Sequence, residues 1–129
     1  MDTTVLVLVV EDDPMLHDLL GEALSDGGFA VAQAFNPHDA MQMIEAPDAG
    51  YRALVTDINL APGQQTGWEI AKRAREINAD LPVVYMTGDS GHEWAARGVP
   101  NSVLLTKPFA PAQLTTAVAQ LLNDVPATT

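Results

Sequence analysis

Cysteine is absent from the 129 residues, so a disulfide framework, a thiolate zinc site and a thiol nucleophile are all excluded. Any chemistry must rest on oxygen and nitrogen groups. Basic residues are scarce, with 6 Lys and Arg against 17 Asp and Glu for a formal net charge of −11, and none of them lies between Met1 and Gly50. The phosphate-neutralising surface that nucleic-acid binding requires is missing, which argues against DNA as a direct partner. Long hydrophobic runs are missing too. The longest, Val5 to Val10, is far short of the roughly 18 residues that cross a bilayer, and no basic segment precedes it as in a signal peptide. A cytoplasmic protein with no membrane partner is expected. Aromatic residues make up only 5 %, and Trp68 and Trp94 read as packing or loop anchors, not as a cofactor stack.

What is present suits a folded domain. At 47 % hydrophobic and 18 % charged, the composition lies well inside the range of chains that bury a core. The length is that of a single domain, residues 1–129 with a core over about 5–122, and a frayed tail after Asn123. Val5 to Val10 is continuously apolar and mostly β-branched, the pattern of a strand buried on both faces. After Glu11-Asp12-Asp13-Pro14, the residues Met15, Leu16, Leu19, Leu20, Ala23 and Leu24 recur at helical spacing until Gly27-Gly28. Strands follow at Phe29 to Ala34, Tyr51 to Thr56, Leu81 to Met86 and Val103 to Thr106. Helices fall at Pro37 to Ala46, along Trp68, Ile70, Ala71, Ala74 and Ile77, and at Pro111 to Leu122, with little more than two turns between Gly91 and Arg97. This alternation predicts an α/β fold, a doubly wound five-stranded parallel sheet with right-handed crossovers. Met15, Met41, Met43 and Met86 are expected in or near the core, and His17, His38 and His92 as surface or helix residues.

Ligands of open parallel sheets gather outside the carboxyl ends of the strands. There the first strand delivers Glu11 and Asp12, the third Asp57, the fourth Thr87 and the fifth Lys107. Singly each is commonplace, since a strand-end Asp caps helices and Thr-Gly and Lys-Pro occur in turns. Jointly, on one edge, they form a set that chance rarely produces. Three converging carboxylates repel one another, one lysine cannot neutralise them, and all-oxygen ligands select a hard cation such as Mg²⁺. A carboxylate, a hydroxyl and an ammonium around such an ion are the parts that phosphoryl transfer needs. The pattern points to phosphoryl chemistry on an aspartate.

These residues resemble a known family, the receiver domain of two-component response regulators, and among them single-domain receivers of the chemotaxis type. The similarity runs from Val5 through Leu122, with VLVVEDD, LVTDINL, VVYMTGDS and LLTKPF in order. The resemblance implies a flavodoxin-like sheet of order 2-1-3-4-5 and a phosphorelay role. Asp57 would accept a phosphoryl group from a phosphohistidine on a sensor histidine kinase or phosphotransfer protein. Asp12 would ligate Mg²⁺ directly, Glu11 largely through a water, Asp57 itself and the backbone carbonyl of Asn59 completing the protein ligands. Thr87 and Lys107 would hold the phosphoryl oxygens, Lys107-Pro108 would be a cis peptide, and Asn59 and Asp89 would tune the lifetime of the acyl phosphate. Asp13 falls outside the acidic pair and reads as a helix cap. The chain is not expected to be an enzyme toward a separate substrate. It would be a monomeric, stand-alone regulator that switches the binding of a downstream protein, the alternatives being a receiver excised from a hybrid kinase or a phosphorylation-independent docking module.

Three departures from the family pattern stand out. The aromatic switch residue on the fifth strand is replaced by Leu104. The loop after Asp57 looks about two residues longer than the common form, with Pro62 to Gly67 in its place. The segment Gly91 to Pro100, where a fourth helix should stand, is weakly apolar and is expected to be mobile or poorly helical. Two rival classes fit worse. A haloacid-dehalogenase-like phosphatase pairs its nucleophile with a second Asp two residues on, where this chain has Asn59, and carries a cap domain. A flavodoxin-like flavin carrier needs a glycine- and hydroxyl-rich phosphate loop where this chain has Glu11-Asp12-Asp13.

Overall fold

The computed structural model describes residues 4–47, 49–60, 65–88 and 91–124. Five strands, β1 (Leu6–Val10), β2 (Ala30–Ala34), β3 (Ala53–Asp57), β4 (Val83–Thr87) and β5 (Ser102–Thr106), form one parallel sheet in the order β2-β1-β3-β4-β5. That is the order implied by the resemblance. Between them run α1 (Pro14–Asp26), α2 (Pro37–Glu45), α3 (Gly67–Ile77), α4 (Trp94–Arg97) and α5 (Pro111–Asp124), with a 3-10 turn at Gly91–Glu93 leading into α4. The continuous apolar runs are explained by position: β3 and β4 are buried along their whole length, whereas β2 and β5 form the edges and are only partly covered.

Side chains alternate between two apolar layers. One layer joins Leu8, Leu54, Val83 and Tyr85 of the sheet to α2 and α3 through Ala40, Ile44, Trp68, Ile70 and Ala74. The other joins Val7, Val9, Val55, Val84 and Met86 to α1 and α5 through Leu20, Leu24, Leu114 and Val118. The helix starts follow capping chemistry: Asp13 Oδ1 accepts Met15 N–H at 3.0 Å, Asn36 Oδ1 accepts Asp39 N–H at 2.8 Å, and Thr66 with Glu69 forms a reciprocal capping box. Asp13 is thus the helix cap that the sequence predicts.

Several expectations need correction. Met15 is 78 % exposed and Leu19 is 50 % exposed, not core. The buried line of α1 is His17, Leu20 and Leu24, and at 3.6 residues per turn Met15 lies about 140° round the helix from Leu20. Met86 is buried, and Met41 and Met43 pack against the α2–α3 layer as expected. Ile77, in the last turn of α3, is half exposed beside an apolar cavity that it lines with Ile44, Tyr51 and Leu81. His17 is a helix residue but wholly buried, its Nε2 3.2 Å from the Ala34 carbonyl and its ring 4.3 Å from that of Phe35. The fourth helix is indeed a single turn.

Candidate functional site

The carboxyl ends of β1, β3, β4 and β5 bring the predicted residues to one rim. Glu11, which follows β1, is held by its backbone N–H to the Ala34 carbonyl at 3.1 Å, and Asp57 is the last residue of β3. Lys107 N–H donates to the Thr87 carbonyl at 2.7 Å, which locks the end of β5 to the end of β4. The Lys107-Pro108 peptide is cis.

Lys107 Nζ donates to Asp57 Oδ2 at 2.8 Å and to Glu11 Oε1 at 3.0 Å, a charge-assisted fork across three strands. The second oxygens are also engaged: Asn59 N–H donates to Asp57 Oδ1 at 3.2 Å, and Asp13 N–H to Glu11 Oε2 at 3.1 Å. Glu11 is buried, Asp57 nearly so at 6 % exposure, and Thr87 fully buried, while Asp12 reaches solvent. Burial, reinforced by the negative charge of Asp57, pushes the Glu11 carboxyl up to about 7 against the hydrogen bonds it accepts from Asp13 N–H and Lys107. Burial works to lower the Lys107 ammonium, but its hydrogen bonds to Asp57 and Glu11 outweigh it and hold Lys107 above the ordinary lysine value.

Glu11, Asp12 and Asp57 each offer a carboxylate oxygen, and these oxygens lie within 4.8 Å of one another. One ammonium against three carboxylates leaves an excess of negative charge that a hard divalent cation fits. Asn59 lies at the exposed lip just past Asp57, and Leu104 sits half-buried in β5, directly opposite Tyr85 of β4 in the pairing register. Asp89 and the stretch Pro62 to Gln64 of the loop after Asp57 lie outside the described residues. His38 and His92 are exposed and take no part in the rim. Sequence reasoning missed Gly67: its N–H donates to the Ile58 carbonyl at 2.9 Å, and a Cβ there would collide with the Asp57 carbonyl oxygen. The signal available was a glycine at the start of a helix right after the Asp57 loop.

With the geometry in place, comparison with known proteins gives a single answer. A family model described as the response regulator receiver domain matches residues 7–119. The chain belongs to that family. Receiver domains act in two-component systems, and among solved structures the receiver protein of Sinorhizobium medicae WSM419 is 39 % identical, with a TM-score of 0.91 over 96 % of this chain and 98 % of that one. A probable transcriptional regulatory protein, SilR of Salmonella typhimurium, is 31 % identical over 91 % of this chain and 50 % of its own length. The chain therefore spans about half the length of the first curated relatives it matches. A 14.6 kDa protein of Leptolyngbya boryana is 34 % identical over 88 % of this receiver and 87 % of its own length. No helix among the described residues is long and apolar enough to cross a membrane.

Proposed function

We propose that this receiver domain accepts a phosphoryl group on Asp57 from a phosphohistidine of a sensor histidine kinase or phosphotransfer protein, and thereby switches the binding of a downstream protein. The observation that carries this reading is the Lys107 ammonium 2.8 Å from Asp57 and 3.0 Å from Glu11, at the rim where Thr87 also ends. An Asp57 carboxylate oxygen attacks phosphorus; the O–P bond forms as the N–P bond of the phosphohistidine breaks, and the departing imidazole nitrogen takes up a proton. Lys107 and Thr87 stand to donate to the equatorial oxygens as charge develops there. Glu11, Asp12, Asp57 and the Asn59 backbone carbonyl would hold Mg²⁺, which when bound supplies charge neutralisation for phosphoryl and carboxylate oxygens. The chain carries out its own aspartyl phosphorylation and dephosphorylation and no reaction on a separate substrate, and Asn59 and Asp89 set how long the acyl phosphate lasts.

The Leptolyngbya relative, matched over 87 % of its own length, supports the reading of this receiver as a stand-alone regulator. Met15 and Leu19, exposed on α1 directly after the acidic rim, support α1 as the face against which the phosphodonor docks. The test is intact mass after incubation with acetyl phosphate, with and without Mg²⁺. A Mg²⁺-dependent gain of one phosphoryl group, absent from Asp57→Asn, is the expected result. No gain under conditions where Mg²⁺ measurably binds would sink the phosphoacceptor reading and leave a docking module.

A further inference from the structure

The turn that carries α4 is fastened to the sheet by hydrogen bonds and by the partial burial of Trp94 and Val99 against the α2–α3 layer. None of the α4 residues is fully buried. The Tyr85 hydroxyl accepts Val99 N–H at 3.0 Å, Trp94 Nε1 donates to Ser102 Oγ at 2.9 Å, and that hydroxyl donates to the Val99 carbonyl at 2.7 Å. Arg97, paired with Glu93 at 2.9 Å, rests its guanidinium 5.7 Å from the centre of the Trp68 ring.

Tyr85 is where this turn meets the phosphoacceptor site. It lies two residues before Thr87, so both point to the same face of β4. Its buried ring packs 4.8 Å from that of Trp68 in the first turn of α3. Trp68 follows Gly67, whose N–H is bonded to the Ile58 carbonyl and whose place beside the Asp57 backbone leaves no room for a Cβ. The ring of Tyr85 therefore lies between the end of β4 and the start of α3 beside Asp57, and its hydroxyl ends on the amide of the α4–β5 connection. Leu104, opposite it in register, offers no polar group to share that task.

We propose that the Tyr85 hydroxyl is a latch that couples the state of Asp57 to the turn spanning residues 94–102. Closed, it holds Val99 and keeps Arg97 over Trp68; a shift of the β4 end toward a phosphoryl group on Asp57 pulls Tyr85 from Val99 and reshapes the groove of about 470 Å³ between α3 and α4, lined by Trp68, Lys72, Arg97 and Pro100. This inference rests on the reading of Asp57 as phosphoacceptor.

The experiment follows the Val99 amide and the Trp94 indole N–H by NMR in the full chain, with acetyl phosphate and Mg²⁺ added and labelling checked by intact mass in the same sample. In the native chain, labelling should speed Val99 amide exchange and shift both resonances. Tyr85→Phe keeps the ring and its contact with Trp68; it should speed Val99 exchange about fivefold before any donor is added, as loss of one hydrogen bond implies. It should then show no further Val99 response at equal labelling. Ser102→Ala breaks the other fastening and should leave the Val99 response in place. Full labelling with Val99 and Trp94 unmoved overturns the latch, as does a Tyr85→Phe chain that exchanges and responds like the native one. If the native chain gains no phosphoryl mass, the phosphoacceptor reading fails and the latch loses its trigger with it, whereas the exchange difference between native chain and Tyr85→Phe still reports the hydroxyl–amide bond separately.

Discussion

Individual residues set the tolerances of the rim. Gly67 starts α3 against the Asp57 backbone, and an added methyl would meet the Asp57 carbonyl oxygen and come within 2.9 Å of Ile58 Cα. Backbone cannot yield as a flexible side chain does, so Gly67→Ala should destabilise the chain by about 1–3 kcal/mol in urea unfolding. It should also slow labelling of Asp57 at equal folded fraction; a variant as stable and as quickly labelled as the native chain would show that α3 can back away freely. The same scale shows which site residues were legible in the sequence. Glu11, Asp12, Asp57, Thr87 and Lys107 could be read because each stands at the end of an apolar run, where parallel topology alone dictates one shared rim. His17 could not: helical periodicity marks position on a face, and a histidine on the buried face is recognised only through the acceptor it meets, the Ala34 carbonyl at the end of β2. The bond from Val99 to the Tyr85 hydroxyl joins residues 14 apart through a loop and leaves no periodic trace.

Among the elements, α3 and α1 bear on different parts of the proposed function and should fail differently. The capping box that starts α3 uses Thr66 N–H to Glu69 Oε1 at 3.0 Å and Glu69 N–H to Thr66 Oγ1 at 3.4 Å. Thr66→Ala should cost about 1 kcal/mol of stability, read as a lower urea midpoint, with labelling by acetyl phosphate retained. On α1, Met15→Ser with Leu19→Ser changes exposed positions and should leave stability within about 0.5 kcal/mol. If the phosphodonor docks there, transfer from a phosphorylated histidine phosphotransfer protein should fall about tenfold in kcat/KM while acetyl phosphate labels the variant normally. Equal loss with both donors would place the defect in the site and not in docking. Element positions were legible to within about two residues, because caps and apolar runs are local signals. The outward turn of Met15 and Leu19 was not, since a helical stripe of six apolar positions is wider than the line that α1 lays on the sheet. The brevity of α4 was legible in the short, weakly apolar stretch from Gly91 to Pro100, whereas its fastening by Tyr85, Trp94 and Ser102 depends on where β4 and β5 place those groups.

At the scale of the whole molecule, the sheet separates the acidic rim at its carboxyl edge from an apolar cavity at the other edge, and the only 2 tyrosines report on one side of it. Tyr51 lines that cavity, and burial raises its phenol above the ordinary value of 10. Burial also raises Tyr85, against the hydrogen bond from Val99 N–H and the nearby charge of Arg75. Unfolding returns both phenols to the ordinary value, so the folded chain holds their protons more tightly than the unfolded one. Their contribution to stability is therefore complete below pH 10 and is lost as pH rises through 10 toward the folded-state values. In an alkaline titration followed by phenolate absorbance, the native chain should lag a urea-unfolded sample, and its urea midpoint should drop over the same interval. Tyr85→Phe should remove the more strongly buried part of that lag and flatten the fall in midpoint, while Tyr51 alone keeps a smaller one. Superimposable titrations of native and unfolded chains would mean that solvent reaches both rings, and with them the α2–α3 layer through which Asp57, Trp68 and the α4 turn are joined.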